Sequence, residues 1–115
     1  CVAGTTDHIT PWEACYRSAR LLGGKCEFVL SNSGHIQSIL NPPGNPKARF
    51  STSSDMPADP KAWLENATKH ADSWWLHWQQ WITERSGKTK KASFTLGNKA
   101  FPAGEAAPGT YVHER

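Results

Sequence analysis

The stretch CVAGTTDHIT PWEACYRSAR LLGGKCEFVL SNSGHIQSIL, residues 1–40, decides how the rest of the chain is read. Its opening, Cys1-Val2-Ala3-Gly4-Thr5, is apolar and then punctuated by glycine, as at the end of a buried strand. Thr10-Pro11-Trp12-Glu13 reads as a helix start. Thr10 is the expected cap, Pro11 the first helical residue, and Glu13 stands where a capping box places its acid. Trp12, Cys15, Tyr16, Ala19 and Leu22 then fall on one helical stripe suited to packing on a sheet, and Gly23-Gly24 stops the helix. Lys25 to Ser31 reads as a second strand and Asn32-Ser33-Gly34 as a tight turn. His35 follows that turn directly, ahead of a short helical piece from Ile36 to Leu40. Strand, helix and strand in this order predict parallel pairing with a right-handed crossover. Two parallel strands do not make a stable sheet by themselves. Further strands are therefore expected earlier in a longer chain, in keeping with a first residue that is Cys1 rather than Met.

Outward from there, residues 41–59 are rich in Pro, Gly, Ser and Asn and read as loop. Asp59 caps and Pro60 starts a second helical region reaching to about Arg85, with Leu64, Ala67, Ala71, Trp74, Trp75, Trp78 and Ile82 as its apolar face. Ala71-Asp72-Ser73 is a potential break within it. Residues from 88 onward are polar, with Lys88, Lys90 and Lys91 as a basic cluster, and are expected to form an extended, solubilising tail. The chain thus divides into residues 1–59, the end of an α/β unit, residues 60–87, a Trp-rich helical segment packing on it, and the tail at 88–115.

Composition narrows the function. At 115 residues the chain is one domain at most. No run approaches the roughly 18 apolar residues of a membrane span. Thirteen basic against ten acidic residues leave a net charge of +3, too mild to imply nucleic acid. The three cysteines, Cys1, Cys15 and Cys26, are odd in number and contain no C-x-x-C pair. That argues against a disulfide framework and a cysteine zinc site, and the expectation is three free, buried thiols in a reducing cytoplasm.

The informative constellation is Asp7 with His35. Both fall in loops at the carboxyl ends of expected parallel strands, where open α/β sheets place their chemistry. In the α/β-hydrolase arrangement the order along the chain is nucleophile, acid, histidine. A carboxylate holds one imidazole nitrogen so that the other can take a proton from the nucleophile. The competing structural reading has Asp7 closing a turn and His35 capping the short helix. His8, next to Asp7, belongs beside the same site or is a loop histidine bonded to backbone. His70, Asp72 and His77 lack the spacing of a zincin pair and read as helix surface rather than as a metal cluster. Trp74, Trp78 and Trp81 have helical spacing; they either pack the helix down or offer an apolar surface to an oily partner or second subunit.

At these residues the chain resembles a known family. A-G-T-T-D-H-I-T-P-W-E-A-C-Y with F-V-L-S-N-S-G-H-I-Q-S-I-L-N-P-P, between Ala3 and Pro43, is similar to the end of the catalytic domain of polyhydroxyalkanoate synthases. S-W-W-L-H-W-Q-Q-W (Ser73 to Trp81) and A-P-G-T-Y-V (Ala107 to Val112) resemble that family's C-terminal segment, and the wording is most similar to class II enzymes. The resemblance implies the C-terminal part of an α/β-hydrolase-like acyltransferase. Such an enzyme transfers the acyl group of (R)-3-hydroxyacyl-coenzyme A to a cysteine, extends a polyester and releases coenzyme A. It implies Asp7 and His35 as the catalytic acid and histidine, with no cofactor and no metal. It also implies a cytoplasmic location at the surface of polyester granules, and allows a homodimer. The family's G-x-C-x-G nucleophile motif is absent from residues 1–115, and none of Cys1, Cys15 or Cys26 is assigned its role. The expectation is an enzyme segment inactive alone. The alternative is a non-catalytic binding module that docks through the Trp-rich helix on an apolar or polymer surface.

Overall fold

Strands β1 (Val2–Gly4) and β2 (Val29–Ser31) pair in parallel in the computed structural model, which describes residues 1–114. Helix α1 (Trp12–Arg20) makes the crossover between them. Val2 stands opposite Val29, Ala3 opposite Leu30 and Gly4 opposite Ser31. This is the strand-helix-strand unit expected from residues 1–40, with a shorter second strand: the ladder takes up only Val29 to Ser31 of the expected Lys25 to Ser31.

Two expectations are corrected beyond it. Within the expected loop, Arg49–Thr52 is strand β3, antiparallel to β2. Phe50 is buried while Arg49 faces solvent, an alternation too short to stand out among the flanking Pro, Gly and Ser. The expected helical region is two helices, α2 (Pro60–Asn66) and α3 (Trp74–Arg85), separated by strand β4 (Thr68–Ala71). β4 pairs antiparallel with β3, completing a sheet of order β1-β2-β3-β4. Asp59 caps α2 as expected, accepting from the Lys61 N–H at 3.1 Å. α3 starts directly after the expected break at Ala71-Asp72-Ser73, but α2 already ends at Asn66. Asp72 takes the left-handed conformation (φ +76°), and the Ser73 hydroxyl accepts from the Trp75 N–H at 3.0 Å to cap α3. The single apolar face is accordingly not formed: Pro60 and Trp63 are the buried residues of α2, and Leu64, Ala71 and Ile82 are exposed. The piece from Ile36 to Leu40 is a hydrogen-bonded turn rather than a helix.

The core lies between the sheet and α1 with α2. Ala3, Tyr16, Ala19, Phe28, Leu30 and Trp63 form it. Phe28 meets Tyr16 and Trp63 edge-on, with ring centroids 5.1 Å away in each case, a geometry worth about 0.5–1.5 kcal/mol per pair beyond burial. The Tyr16 hydroxyl donates to Pro57 O at 2.7 Å. The indole N–H of Trp63 has no partner among the described residues, a desolvation cost of about 1–3 kcal/mol set against the burial of the ring. Helix α3 covers the other face of the sheet: Trp74, His77, Trp78 and Trp81 enclose a groove with Val2 and Val29, and His77 packs on Phe50 at 5.7 Å. From residue 86 the described chain is exposed and nearly free of regular structure, apart from a bridge between Gly97 and Pro102 and a short 3-10 turn at Tyr111–His113.

Truncating Trp63 to alanine is expected to cost about 3–5 kcal/mol in a urea titration. Trp63→Phe is expected to cost clearly less, because it keeps the apolar ring and removes the unpartnered N–H.

Candidate functional site

The parallel register sets two loops side by side at the carboxyl ends of β1 and β2. Thr5 N–H donates to Ser31 O at 2.9 Å and Thr6 N–H to Ser33 O at 3.2 Å, so pairing continues past the strands into the loops. The second loop lies against Gly4. A Cβ on Gly4 would meet Ser38 Oγ at 2.6 Å and Ser33 O at 2.8 Å, so no side chain fits where the loop crosses β1. Ser33 turns the chain in the left-handed region (φ +78°) just before His35.

Asp7 and His35 meet there. His35 Nδ1 lies 2.8 Å from Asp7 Oδ2. Asp7 Oδ1 accepts from the backbone N–H of Ile9 at 2.9 Å and of Thr10 at 3.0 Å, and Oδ2 also accepts from the Thr10 hydroxyl at 2.7 Å. Asp7 therefore closes the turn of its own loop and at the same time contacts the histidine. His35 does not cap a helix; among the described residues its hydrogen bond goes to Asp7. The carboxylate side chain is 6% exposed and the imidazole 45%.

These donors hold the Asp7 carboxyl well below the usual carboxylate range. The Thr10 N–H contributes most, with the Thr10 hydroxyl, His35 and the Ile9 N–H adding to it against an opposing effect of desolvation. An ionised carboxylate only accepts hydrogen bonds, so Nδ1 carries the proton in their contact. A neutral His35 then presents its lone pair on Nε2, on a ring that is half exposed. Such a ring can take a proton from an acidic group placed at Nε2 while the carboxylate stabilises the resulting imidazolium.

Several participants were not foreseen. Thr10 was expected to cap α1; its hydroxyl binds Asp7 instead, and Pro11 precedes the helix without a side-chain cap. The Asp-x-x-Thr spacing of Asp7 and Thr10 carries that signal, because aspartate readily bonds N–H groups two and three residues on. The start of α3 also grips the second loop. Trp74 Nε1 donates to Ser38 O and Trp75 Nε1 to Ile39 O, both at 2.8 Å, and the Ser73 hydroxyl donates to Asn41 O. No sequence spacing announces contacts 32 to 36 residues apart.

His8 is exposed in the loop next to Asp7 and makes no hydrogen bond among the described residues, against the expectation of a histidine bonded to backbone. His70 bonds the Thr52 hydroxyl at 2.8 Å and His77 bonds Glu27 at 2.6 Å, while Asp72 accepts from the Gly44 and Ser73 N–H groups. No group of residues suited to a metal ion occurs among the described residues. The three cysteines are free but not buried as expected: Cys1 is exposed, Cys15 and Cys26 half-buried. Cys15 Sγ contacts Thr10 O at 3.7 Å, and Cys1 and Cys26 lie at the amino ends of β1 and β2, away from His35. No helix among the described residues is long and apolar enough to cross a membrane.

Comparison with known proteins shows what the chain is similar to. No family model matches the sequence. Over 99% of its length the chain is 75% identical to poly(3-hydroxyalkanoate) polymerase 1 and 57% identical to poly(3-hydroxyalkanoate) polymerase 2, both of Ectopseudomonas oleovorans. Over 92% of its length it is 42% identical to a poly(3-hydroxyalkanoate) polymerase subunit of Cupriavidus necator. The chain spans only 20%, 20% and 18% of these relatives.

The lowered Asp7 pKa has a definite sign in stability. Its contribution is complete above the ordinary carboxylate value of about 3.9 and is lost as pH falls through the lower native value. Asp7→Asn is therefore expected to lower the urea midpoint at neutral pH, and the gap from the parent chain should narrow as the solution is made strongly acidic.

Proposed function

We infer the function from the premise that this chain corresponds to one segment, about a fifth, of a poly(3-hydroxyalkanoate) polymerase. It supplies two members of an acyl-transfer site, Asp7 and His35, to an enzyme that polymerises (R)-3-hydroxyacyl-coenzyme A. The single observation that carries this reading is the 2.8 Å contact between Asp7 Oδ2 and His35 Nδ1 at adjacent parallel strand ends. His35 Nε2 takes the proton of a cysteine thiol that lies outside residues 1–115, and the thiolate attacks the acyl thioester. The coenzyme A thiolate leaves, and His35 returns the proton to it. In the elongation step His35 Nε2 takes the proton of the 3-hydroxyl of a monomer or growing chain as that oxygen attacks the acyl-cysteine; the ester bond forms, the carbon–sulfur bond breaks, and the proton returns to the released cysteine sulfur. Asp7 keeps the imidazole in the tautomer both steps need.

The reading extends to a class II enzyme of α/β-hydrolase type, working in the cytoplasm on a polyester granule without a resident cofactor. A second reading rests on one further observation. Trp78 and Trp81, 49% and 40% exposed, line the apolar groove beneath α3, a surface that could bind a hydrocarbon-rich polymer without chemistry.

The two readings separate by substitution in the full-length polymerase. His35→Ala is expected to lower polymer synthesis by about a thousandfold or more, and Trp78→Phe to leave most of it. Greater damage from the Trp78 change would favour binding. The purified 115-residue chain is expected to release no coenzyme A from a hydroxyacyl thioester; release by it alone would show that the site needs no outside thiol.

A further inference from the structure

At the end of the sheet opposite Asp7 and His35, two thiols face each other across the parallel pair. Cys26 Sγ lies 3.5 Å from Cys1 Sγ, within hydrogen-bond reach for sulfur. Their backbones are held in that relation by the β1–β2 ladder: the Cys1 nitrogen donates to Glu27 O at 2.8 Å and Val29 N–H to Cys1 O at 2.9 Å. Cys1 is exposed and Cys26 half-buried, and both line a hollow with Leu22, Lys25, Glu27 and Trp81. Closing the contact to a bond of about 2.05 Å brings the two sulfurs nearer by roughly 1.5 Å.

We propose that Cys1 and Cys26 are a disulfide-forming pair, a site of reversible thiol oxidation that staples the start of β1 to the segment entering β2. The oxidant is a small-molecule disulfide such as oxidised glutathione. The Cys1 thiol loses its proton and its sulfur attacks one glutathione sulfur, forming a mixed disulfide and expelling one glutathione thiolate. The Cys26 thiolate then attacks the Cys1 sulfur of that adduct and expels the second. Two protein thiols become one disulfide, one oxidised glutathione becomes two glutathione molecules, and the two protons end on the released thiolates. Excess dithiol reverses it. Cys15, on α1 and turned to Thr10 O, takes no part.

Pairing selectivity tests this. In an unfolded chain loop closure favours the shortest loop, so Cys15–Cys26, eleven residues apart, should outnumber Cys1–Cys26, twenty-five apart, by roughly threefold. Folded protein reverses that order. The 115-residue chain is incubated with oxidised glutathione with and without concentrated guanidinium, its remaining thiols are alkylated, and the crosslinked peptides are mapped by mass spectrometry. Without denaturant, Cys1–Cys26 is expected to outnumber Cys15–Cys26 by roughly threefold or more, the reverse of the unfolded preference, with Cys15 alkylated. Cys15→Ser should keep the bridge, and Cys26→Ser should stop at the mixed disulfide on Cys1. The same mixture of pairings in both solvents, a major native product containing Cys15, or persistence of glutathione on Cys1 in the parent chain would each overturn the proposal.

Discussion

The parallel register of Val2 with Val29, Ala3 with Leu30 and Gly4 with Ser31 is the constraint on which the rest depends. It fixes how far the two following loops overlap, and the Asp7–His35 contact is a consequence. A one-residue slip of either strand would turn its core residue, Ala3 of β1 or Leu30 of β2, from the aromatic core to the opposite face. It would also put a side chain where the Ser33–Ser38 loop crosses Gly4. Core burial and loop contact thus select the same alignment, and neither tolerates the neighbouring one.

Helix α3 acts on the site from behind. Its first residues donate three hydrogen bonds to carbonyls of the loop that begins at His35. Ser38 and Asn41 are buried, and loop carbonyls out of reach of water need donors from the protein. Indole is suited to this, because its ring packs while its single N–H reaches a carbonyl. Trp74 and Trp75 therefore belong to the architecture of the site, whereas Trp78 and Trp81, one turn on, leave much of their rings in solvent. The Trp-rich stretch differs in its surroundings along its length, loop-bound at its start and open to solvent further on, and composition alone merges the two.

What was legible follows from the range of each interaction. The parallel pair, the crossover helix, the Asp59 cap and the break before Ser73 are written in local spacing, and so are Asp7 and His35 as residues at strand ends. β3 and β4 were not legible, since each is four residues long and owes its conformation to the strand beside it. β4 sits at the sheet edge with Lys69 exposed, a polar strand that in isolation reads as readily as helix. The grip of Trp74 and Trp75 on the loop was equally out of reach. Cys1 and Cys26 misled for the same reason: apolar neighbours suggested burial, but both flank short strands at the open end of the sheet.

The carboxylate of Asp7 shows why architecture and chemistry cannot be separated at every residue. Oδ1 is engaged by the backbone of its own loop, and Oδ2 by Thr10 and His35 together. The bonds that make it a strong orienting anion are the ones that shape the loop. Removing it therefore disturbs both, and a loss of function at Asp7 says little about which failed. His35 is different. Its ring is half exposed, and its contact with Asp7 is the one its imidazole makes among the described residues. Loss of that ring removes a proton acceptor while leaving the carboxylate with its backbone and Thr10 donors. The exposed partner of the pair, rather than the buried one, carries the chemical information.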